Sequence, residues 1–285
     1  MSESTEQAAA PLLSLEDVVL RFDERTILNG ISLQVQPQER VVVMGQSGGG
    51  KSTLLRLMMG ILQPTAGRVR FGEHEVNKLG RRQLNAMRAK MGMVYQYSAL
   101  ISSLNVRDNL ALPMEELTQM TVTEIERVID EKLELVQMGH VKHQMPSELS
   151  GGMRKRIGLA RALVLEPELI LFDEPSAGLD PVTSSVIDEL IISLSERTRA
   201  TSVIVTHEMD SAFRIATRMV MLYEGKFIAD GPPEAFRHSD NPVVAQFVEG
   251  RTEGPISDHT KHHHYDPLAV SQALPAGRPR PPHVP

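Results

Sequence analysis

The stretch GQSGGGKST, Gly45 to Thr53, constrains this chain more than any other. It follows the apolar run VVVM and leads straight into the helical pattern LLRLM. Gly45, Gly50, Lys51 and Ser52 satisfy G-x-x-x-x-G-K-[ST] in the strand–loop–helix setting that gives the pattern its meaning. Gly48 and Gly49, with Gln46, Ser47 and Thr53, complete a loop whose backbone can turn successive N–H groups inward as a phosphate cradle. Lys51 adds a point charge for β- and γ-phosphates, and Ser52 offers a hydroxyl to Mg²⁺. Without the flanking strand and helix, the same residues would read as a glycine-rich turn capping a helix.

The rest of the chain supplies the sheet such a loop requires. Residues 12–44 read as short strands and turns, and a helix runs from Lys51 through Met59 to Gly60. GRVRFGEHEVNKL continues the strand-and-turn pattern, residues 81–90 look helical, and MGMVYQ reads as a strand. From about 105 to 165 the periodicity is helical. ELILF, a helix from Pro181 to about Glu196, SVIVT, a helix from Asp210 and a final hairpin RMVMLYEGKFIADG follow. Strands alternating with helices predict a mostly parallel sheet covered on both faces.

Three of these strands end in polar chemistry. Residues 168–181, ELILFDEPSAGLDP, bring an apolar strand to two consecutive carboxylates, which is costly unless a cation or polarised water lies beside them. Asp173 suits the Mg²⁺ shell, and Glu174 suits a general base on attacking water. SVIVTHEMD ends in His207, and GMVYQ ends in Gln96. Ligands of open α/β sheets bind at the carboxyl edge. His207 is therefore expected at a γ-phosphate, and Gln96 at Mg²⁺ or the water. Asp180 before Pro181 has a plainer reading as a helix N-cap with proline at N1.

PSELSGGMRKRIGLAR, 146–161, looks like a second anion site. Ser150 can cap the helix, but Met153 stands where a capping box needs Glu or Gln. Met153, Ile157, Ala160 and Val164 fall on one stripe, which reads as core. Arg154, Lys155 and Arg156 are left to frame the positive N-terminal end.

In this order, GQSGGGKST, Gln96, LSGGM, LILFDE, SAGLD and His207 resemble the nucleotide-binding subunit of ABC transporters over residues 14–250. The resemblance implies an α/β fold: a P-loop NTPase (RecA-like) core of mostly parallel sheet, with an N-terminal antiparallel β subdomain and an inserted α-helical subdomain. The cassette would occupy 12–250, with the helical subdomain at about 97–160 docking on a membrane permease. It implies ATP and Mg²⁺ as ligands and a head-to-tail dimer. Each ATP would lie between the Lys51 loop of one copy and Ser150, Gly151 and Gly152 of the other. Phe22 would pack on adenine, and Asp180 would signal across the interface.

SALISSLNVRDNLALPMEE, SGGMRKRIGLARALVLEP and QFVEGRTEGP further resemble the Mla/Mce branch, ATPases that power phospholipid or sterol movement. This branch adds a lipid-binding Mce-domain protein to the partners and implies a location on the cytoplasmic face of the inner membrane. Ser98 and Ile101 depart from it, since the branch commonly has Gly and Phe there. Ala99, Leu100, Ile101 and Leu104 offer an apolar docking patch, with core burial as the competing reading.

Composition narrows the alternatives. A net charge of −6 gives no overall basic field for nucleic acid, and the absence of cysteine excludes disulfides and cysteine-held metal. MSESTEQAAAPLL reads as no signal peptide, and no apolar run approaches the ~20 residues that span a bilayer. An ABC ATPase of DNA repair or chromosome structure would carry a coiled coil or zinc module between the two glycine motifs, and a translation-associated one would carry two cassettes. A regulator without turnover would not need the Asp173–Glu174 pair. The alternative within transporters is an ABC importer or exporter ATPase for another substrate. The Pro- and His-rich stretch 251–285 reads as largely disordered, with His262, His263 and His264 too closely spaced for a closed metal site.

Overall fold

Parallel pairing begins with β3 (Arg40–Met44), the strand that feeds the glycine loop. Along its two edges lie β8 (Thr201–Thr206) and β9 (Arg218–Tyr223), both parallel to it. Beyond β8 come β7 (Leu169–Asp173) and then β6 (Met91–Val94), also parallel. Antiparallel β10 (Lys226–Gly231) closes the other edge, giving a six-stranded sheet in the order β10-β9-β3-β8-β7-β6. The computed structural model describes residues 10–257.

A second, four-stranded sheet is antiparallel, in the order β2-β1-β4-β5. It comprises β1 (Leu13–Phe22), β2 (Arg25–Val35), β4 (Ala66–Phe71) and β5 (His74–Glu75). Its apolar face meets the first sheet across α1 (Lys51–Met58). Leu13, Leu15, Val18, Leu28 and Ile31 share one core with Leu54, Leu55, Leu57 and Met58 of the helix and with Val41, Leu171 and Val203 of the parallel strands. The glycine loop is thus held between two sheets. The predicted class, an α/β P-loop core with an antiparallel β subdomain, is the one observed.

After α2 (Arg81–Arg88), the predicted helical region resolves into α3 (Val106–Leu117), α4 (Val122–Leu135) and α5 (Gly151–Leu163). Asn105 caps α3, accepting from Asp108 N at 2.8 Å, while buried Asn109 bonds both the N–H and C=O of Ile101. Thr121 and Glu124 form a reciprocal capping box on α4. On α5, Ser150 accepts from Met153 N at 3.3 Å without a return bond, as the Met at that position dictates. Ile157, Ala160 and Val164 are buried as the stripe predicts and Met153 only half-buried, but Lys155, Gly158, Leu159 and Leu163 are buried too, so α5 is enclosed well beyond one face.

The remaining helices of the first unit, which ends at Arg237, are α6 (Pro181–Thr198), α7 (Met209–Ile215) and α8 (Pro233–Arg237). The second unit begins at His238 and contains α9 (Pro242–Glu249). Within it, the Gln246 side chain donates to Arg251 O and Ser257 Oγ and accepts from Ile256 N, folding 251–257 back on the helix. Gly254, at φ 145°, lies where a Cβ would meet Gln246 Oε1 at 2.6 Å, which explains the glycine in the EGP ending. Neither α8 nor α9 is predicted from the sequence. The disorder predicted for the tail and the histidine run falls, beyond Ser257, outside the described residues. No helix among the described residues is long and apolar enough to cross a membrane.

The seat of α5 on the sheet is tight. A Cβ at Gly92 of β6 would lie 2.6 Å from the Ala162 carbonyl oxygen, so helix backbone touches strand backbone there. Gly92→Ala is expected to destabilise the chain by about 1–3 kcal/mol through overpacking, read as a lower urea midpoint. An unchanged midpoint would show that α5 can move off β6 freely.

Candidate functional site

The parallel register brings four strand ends together. Met44 pairs with Thr206, Asp173 with Val205 and Val94 with Phe172, so the residues that follow are neighbours. They are Gly45, His207, Glu174 and, two positions past β6, Gln96. A cavity of about 290 Å³ opens there, lined by Ser47, Gly48, Gly50, Lys51, Ser52, Thr53, Gln96, Glu174 and His207. Arg25 and Ile27 of β2 line it too, and neither is singled out by the sequence. Phe22 is half-exposed at the end of β1, opposite Arg25 in register, and is not among the lining residues.

The loop conformation depends on its glycines. Gly45 has φ 154°, and a Cβ there would meet Leu222 O at 2.3 Å, so the chain can leave β3 only without a side chain. Gly50 at φ 98° starts α1 with no side-chain cap, which leaves the first helical N–H groups facing the cavity rather than a serine or aspartate. Those groups and the helix dipole favour an anion.

Charge is concentrated in a small volume. The Lys51 ammonium is buried and donates to Gly45 O at 2.8 Å and Gln46 O at 3.0 Å, with Glu174 Oε1 at 3.6 Å. Burial pushes its pKa below the usual lysine range against the pull of Glu174. Glu174 Oε2 lies 2.9 Å from His207 Nδ1 and also accepts from His207 N. With Nδ1 committed to Glu174, Nε2 is the ring nitrogen left to the cavity. Ser52 Oγ donates to Asp173 Oδ1 at 2.8 Å, and burial holds the Asp173 carboxyl above the usual range despite that bond.

Ser52 and Asp173 together form a small set of hard oxygen donors. No cluster of three or more metal-binding His, Cys, Asp or Glu side chains exists among the described residues. That pairing fits a Mg²⁺ ion that keeps most of its shell for phosphate and water, and not an all-protein cage.

The Ser150 segment takes no part in this cavity. Gly151 and Gly152 pack instead beside α6, where a Cβ on Gly152 would meet Thr183 Cγ2 at 2.8 Å and one on Gly151 would meet Leu179 at 3.7 Å. Asp180 caps α6, accepting from Val182 N and Thr183 N at 3.0 Å each, as its place before Pro181 predicts. The three cations after Gly152 do not frame an anion site. Arg154 donates to Leu149 O, Arg156 to Val136 O, and Lys155 is buried against Glu174 O. They spread around a helix packed against α3, α4, α6 and β6, a circumferential placement that three adjacent letters do not disclose.

Another contact was also hidden in the sequence. Ser98 and Ala99 both have positive φ, 62° and 46°, and their carbonyls accept from Arg161 of α5 at 2.8 and 2.7 Å. Ser98 is buried against Gly158, while Ala99 and Ile101 are exposed and Leu100 and Leu104 are half-buried. The positive φ at Ser98 is a conformation that a glycine would adopt at no steric cost.

A phosphate loop, an adjacent carboxylate pair and a polar strand edge define a P-loop nucleotide hydrolase. Residues 28–177 match the ABC transporter family, and this chain belongs to it, as an ATP-binding and ATP-hydrolysing cassette. It is 39% identical to the intermembrane phospholipid transport system ATP-binding protein MlaF of Escherichia coli, over 88% of this chain and 93% of MlaF. It is 38% identical to the probable ribonucleotide transport ATP-binding protein mkl of Mycobacterium leprae, over 86% of this chain and 70% of that protein. Among solved structures, the dimeric post-hydrolysis state of the ATP-binding cassette MJ0796 with ADP and Pi superposes with a TM-score of 0.71 at 30% identity, covering 78% of this chain and 98% of that one.

Asp173 provides a stability test. A carboxyl whose folded pKa is raised contributes stability at low pH that is lost as pH rises through the folded value. Asp173→Asn removes the buried charge and can still accept from Ser52. The nucleotide-free variant is expected to melt higher than the parent at pH 7, with the gap closing as pH falls toward 4, while hydrolysis is lost. Equal melting at pH 7 would show that the buried carboxylate costs nothing.

Proposed function

We propose that this chain hydrolyses ATP in a head-to-tail pair with a second copy, and that the pair drives phospholipid through a membrane permease. The observation that carries the hydrolytic half is the Glu174 carboxylate, held between Lys51 and His207 at the mouth of the glycine loop. Lys51, now spanning the loop's own carbonyls, turns to the β- and γ-phosphates. Glu174 accepts a proton from the attacking water as its oxygen bonds the γ-phosphorus and the bond to the ADP oxygen breaks. His207 keeps the carboxylate oriented through Nδ1 and meets the γ-phosphate through Nε2, and Gln96 orients the water or the ion. Ser52 and Asp173 hold Mg²⁺, which when bound neutralises charge on the phosphate oxygens.

Two copies are needed because the Ser150 segment lies outside the cavity of its own chain. Its N-terminus, exposed at Ser150 and Gly151 and capped by the Ser150 side chain, suits the γ-phosphate of ATP on a second copy. Phe22 and Arg25 are proposed at the adenine end, and Asp180 at the interface between copies. The exposed Tyr97, Ala99 and Ile101 suit a permease contact on the cytoplasmic side of the membrane. Phospholipid as cargo draws support from the similarity to MlaF, and a lipid-binding Mce-domain protein is proposed as a further component on the branch resemblance of the sequence alone. Mkl carries a ribonucleotide name, which makes ribonucleotide the control cargo.

Glu174→Gln is expected to bind ATP normally, to lose turnover by about 10²–10⁴-fold and to accumulate dimers with ATP. Undiminished hydrolysis would overturn the assignment of the base. Ser150→Arg and Lys51→Ala should each be inactive as homodimers. Mixed together they should regain activity, because one composite site is then intact; activity of the Ser150→Arg homodimer would refute a shared site. With the permease complex in liposomes, ATP-dependent movement is expected for labelled phospholipid and not for ribonucleotide, and the reverse result would reassign the cargo.

A further inference from the structure

Lys155 is a buried cation with no place in the hydrolytic scheme. It lies one turn past Gly151 on α5, and its side chain is 6% exposed. Its ammonium donates to the backbone carbonyl of Glu174 at 3.2 Å. Burying an ammonium against a single carbonyl is unfavourable, and its pKa is lowered by that burial against the pull of Glu208 and Glu174. A norleucine-like side chain would fill the same space without this cost. Something other than packing has to account for the charge.

The residue at the other end of the bond is strained. Glu174 has φ 49°, a left-handed conformation that costs a side-chain-bearing residue of order 1 kcal/mol or more. That conformation turns the chain out of β7 and aims the carboxylate between Lys51 and His207. Its peptide is fixed on two sides. The N–H donates to Val205 O at 3.0 Å, in the ladder with β8, and the C=O accepts from Lys155 and, at 3.3 Å, from Ala177 N. The first anchor belongs to the rigid sheet and the third to the same loop. Lys155 is the anchor that comes from α5, and α5 begins with the Ser150 segment.

We propose that Lys155 is a positioning residue for Glu174 of its own chain, tying the carboxylate to the helix that carries Ser150. This rests on the reading of Glu174 as general base and extends it. A nucleotide held by a second copy engages Ser150 to Gly152 and shifts the first turns of α5, which carry Lys155, while the far end stays seated on β6. Through Lys155 that displacement reaches the strained Glu174 peptide of the chain that owns α5. Occupancy of one site of the pair thereby sets the carboxylate of the other.

The test uses Lys155→Met, which keeps length and removes donor and charge, and Lys155→Arg, which restores both. Lys155→Met is expected to lower kcat by about 10–100-fold, the scale of a misplaced reacting group, with KM for ATP within about 2-fold of the parent. Its thermal midpoint should not fall, since a buried charge has gone. Lys155→Arg should recover a substantial part of kcat. Wild-type kcat in Lys155→Met overturns the proposal, and so does a loss of kcat that tracks a lower thermal midpoint.

Mixed dimers decide whether the effect acts within one chain. In a Lys155→Met and Ser150→Arg pair, the working site combines the Lys51 loop, Glu174 and native Lys155 of one chain with the native Ser150 of the other. Activity equal to that of the Lys51→Ala and Ser150→Arg pair is expected, since that reference carries the same Ser150→Arg change on the helix of the chain that owns the working Glu174. Activity about 10–100-fold below that reference would mean that Lys155 serves the second copy's phosphate and would overturn the proposal. Glu174→Gln run in parallel separates the two readings. If it retains turnover, the base assignment fails; if it is inactive while Lys155→Met is normal, only the positioning role fails.

Discussion

Strand β8 pairs in parallel with β3 along one edge and β7 along the other, through Val203 opposite both Val41 and Leu171. These two ladders fix the distance between the glycine loop, Glu174 and His207, because each emerges directly from the end of a paired strand. Parallel strands buried on both faces cannot slip by a residue without turning apolar side chains away from the core and the site out of register. The site is therefore as rigid as the sheet. Gln96, two positions past edge strand β6, Arg25 and Ile27 of β2, and the Ser150 segment on α5 are held by elements outside this three-strand centre.

Rigidity matters because the centre stores unfavourable electrostatics. Lys51 and Asp173 are both shifted toward their neutral forms by burial, and Glu174 is held in a left-handed backbone conformation. Each partly offsets another, with Lys51 near Glu174 and Ser52 on Asp173. A triphosphate with Mg²⁺ would complete the compensation, since it would bring further negative charge to Lys51 and a cation to Asp173. A preorganised site of this kind gains from its ligand what it loses in folding.

Helix α5 is the second organising element. Near one end Lys155 reaches the Glu174 carbonyl, and near the other Arg161 holds the carbonyls of Ser98 and Ala99 beside Gln96. Two residues in left-handed conformation next to each other would be costly in a free loop, and two charge-assisted bonds from one guanidinium offset that cost. The same helix thus touches both the proposed base and the segment after Gln96.

Sequence alone determined the phosphate loop, the strand-end carboxylates, the Asp180 cap and the alternation that demands a parallel sheet. Each of these is a local pattern: a glycine where φ must be positive, an apolar run where both faces are buried, an acceptor before a helix. Helix α8 escaped because five residues hold too little of an apolar period to read, whereas α9 carries an Asn241 cap, Pro242 at N1 and Gly250 at its end, the same local signals that mark α6, and could have been read. What only the tertiary structure decided is which way side chains face when several faces are buried at once. Arg154, Lys155 and Arg156 are adjacent letters that look like one cationic cluster, yet they diverge by about 100° per residue around α5. Lys155 meets a carbonyl nineteen positions away only because the fold brings α5 against the turn that follows β7. Arg25 and Ile27 reach the cavity only because the second sheet folds over the loop. No local periodicity encodes those meetings, since they follow from how layers stack.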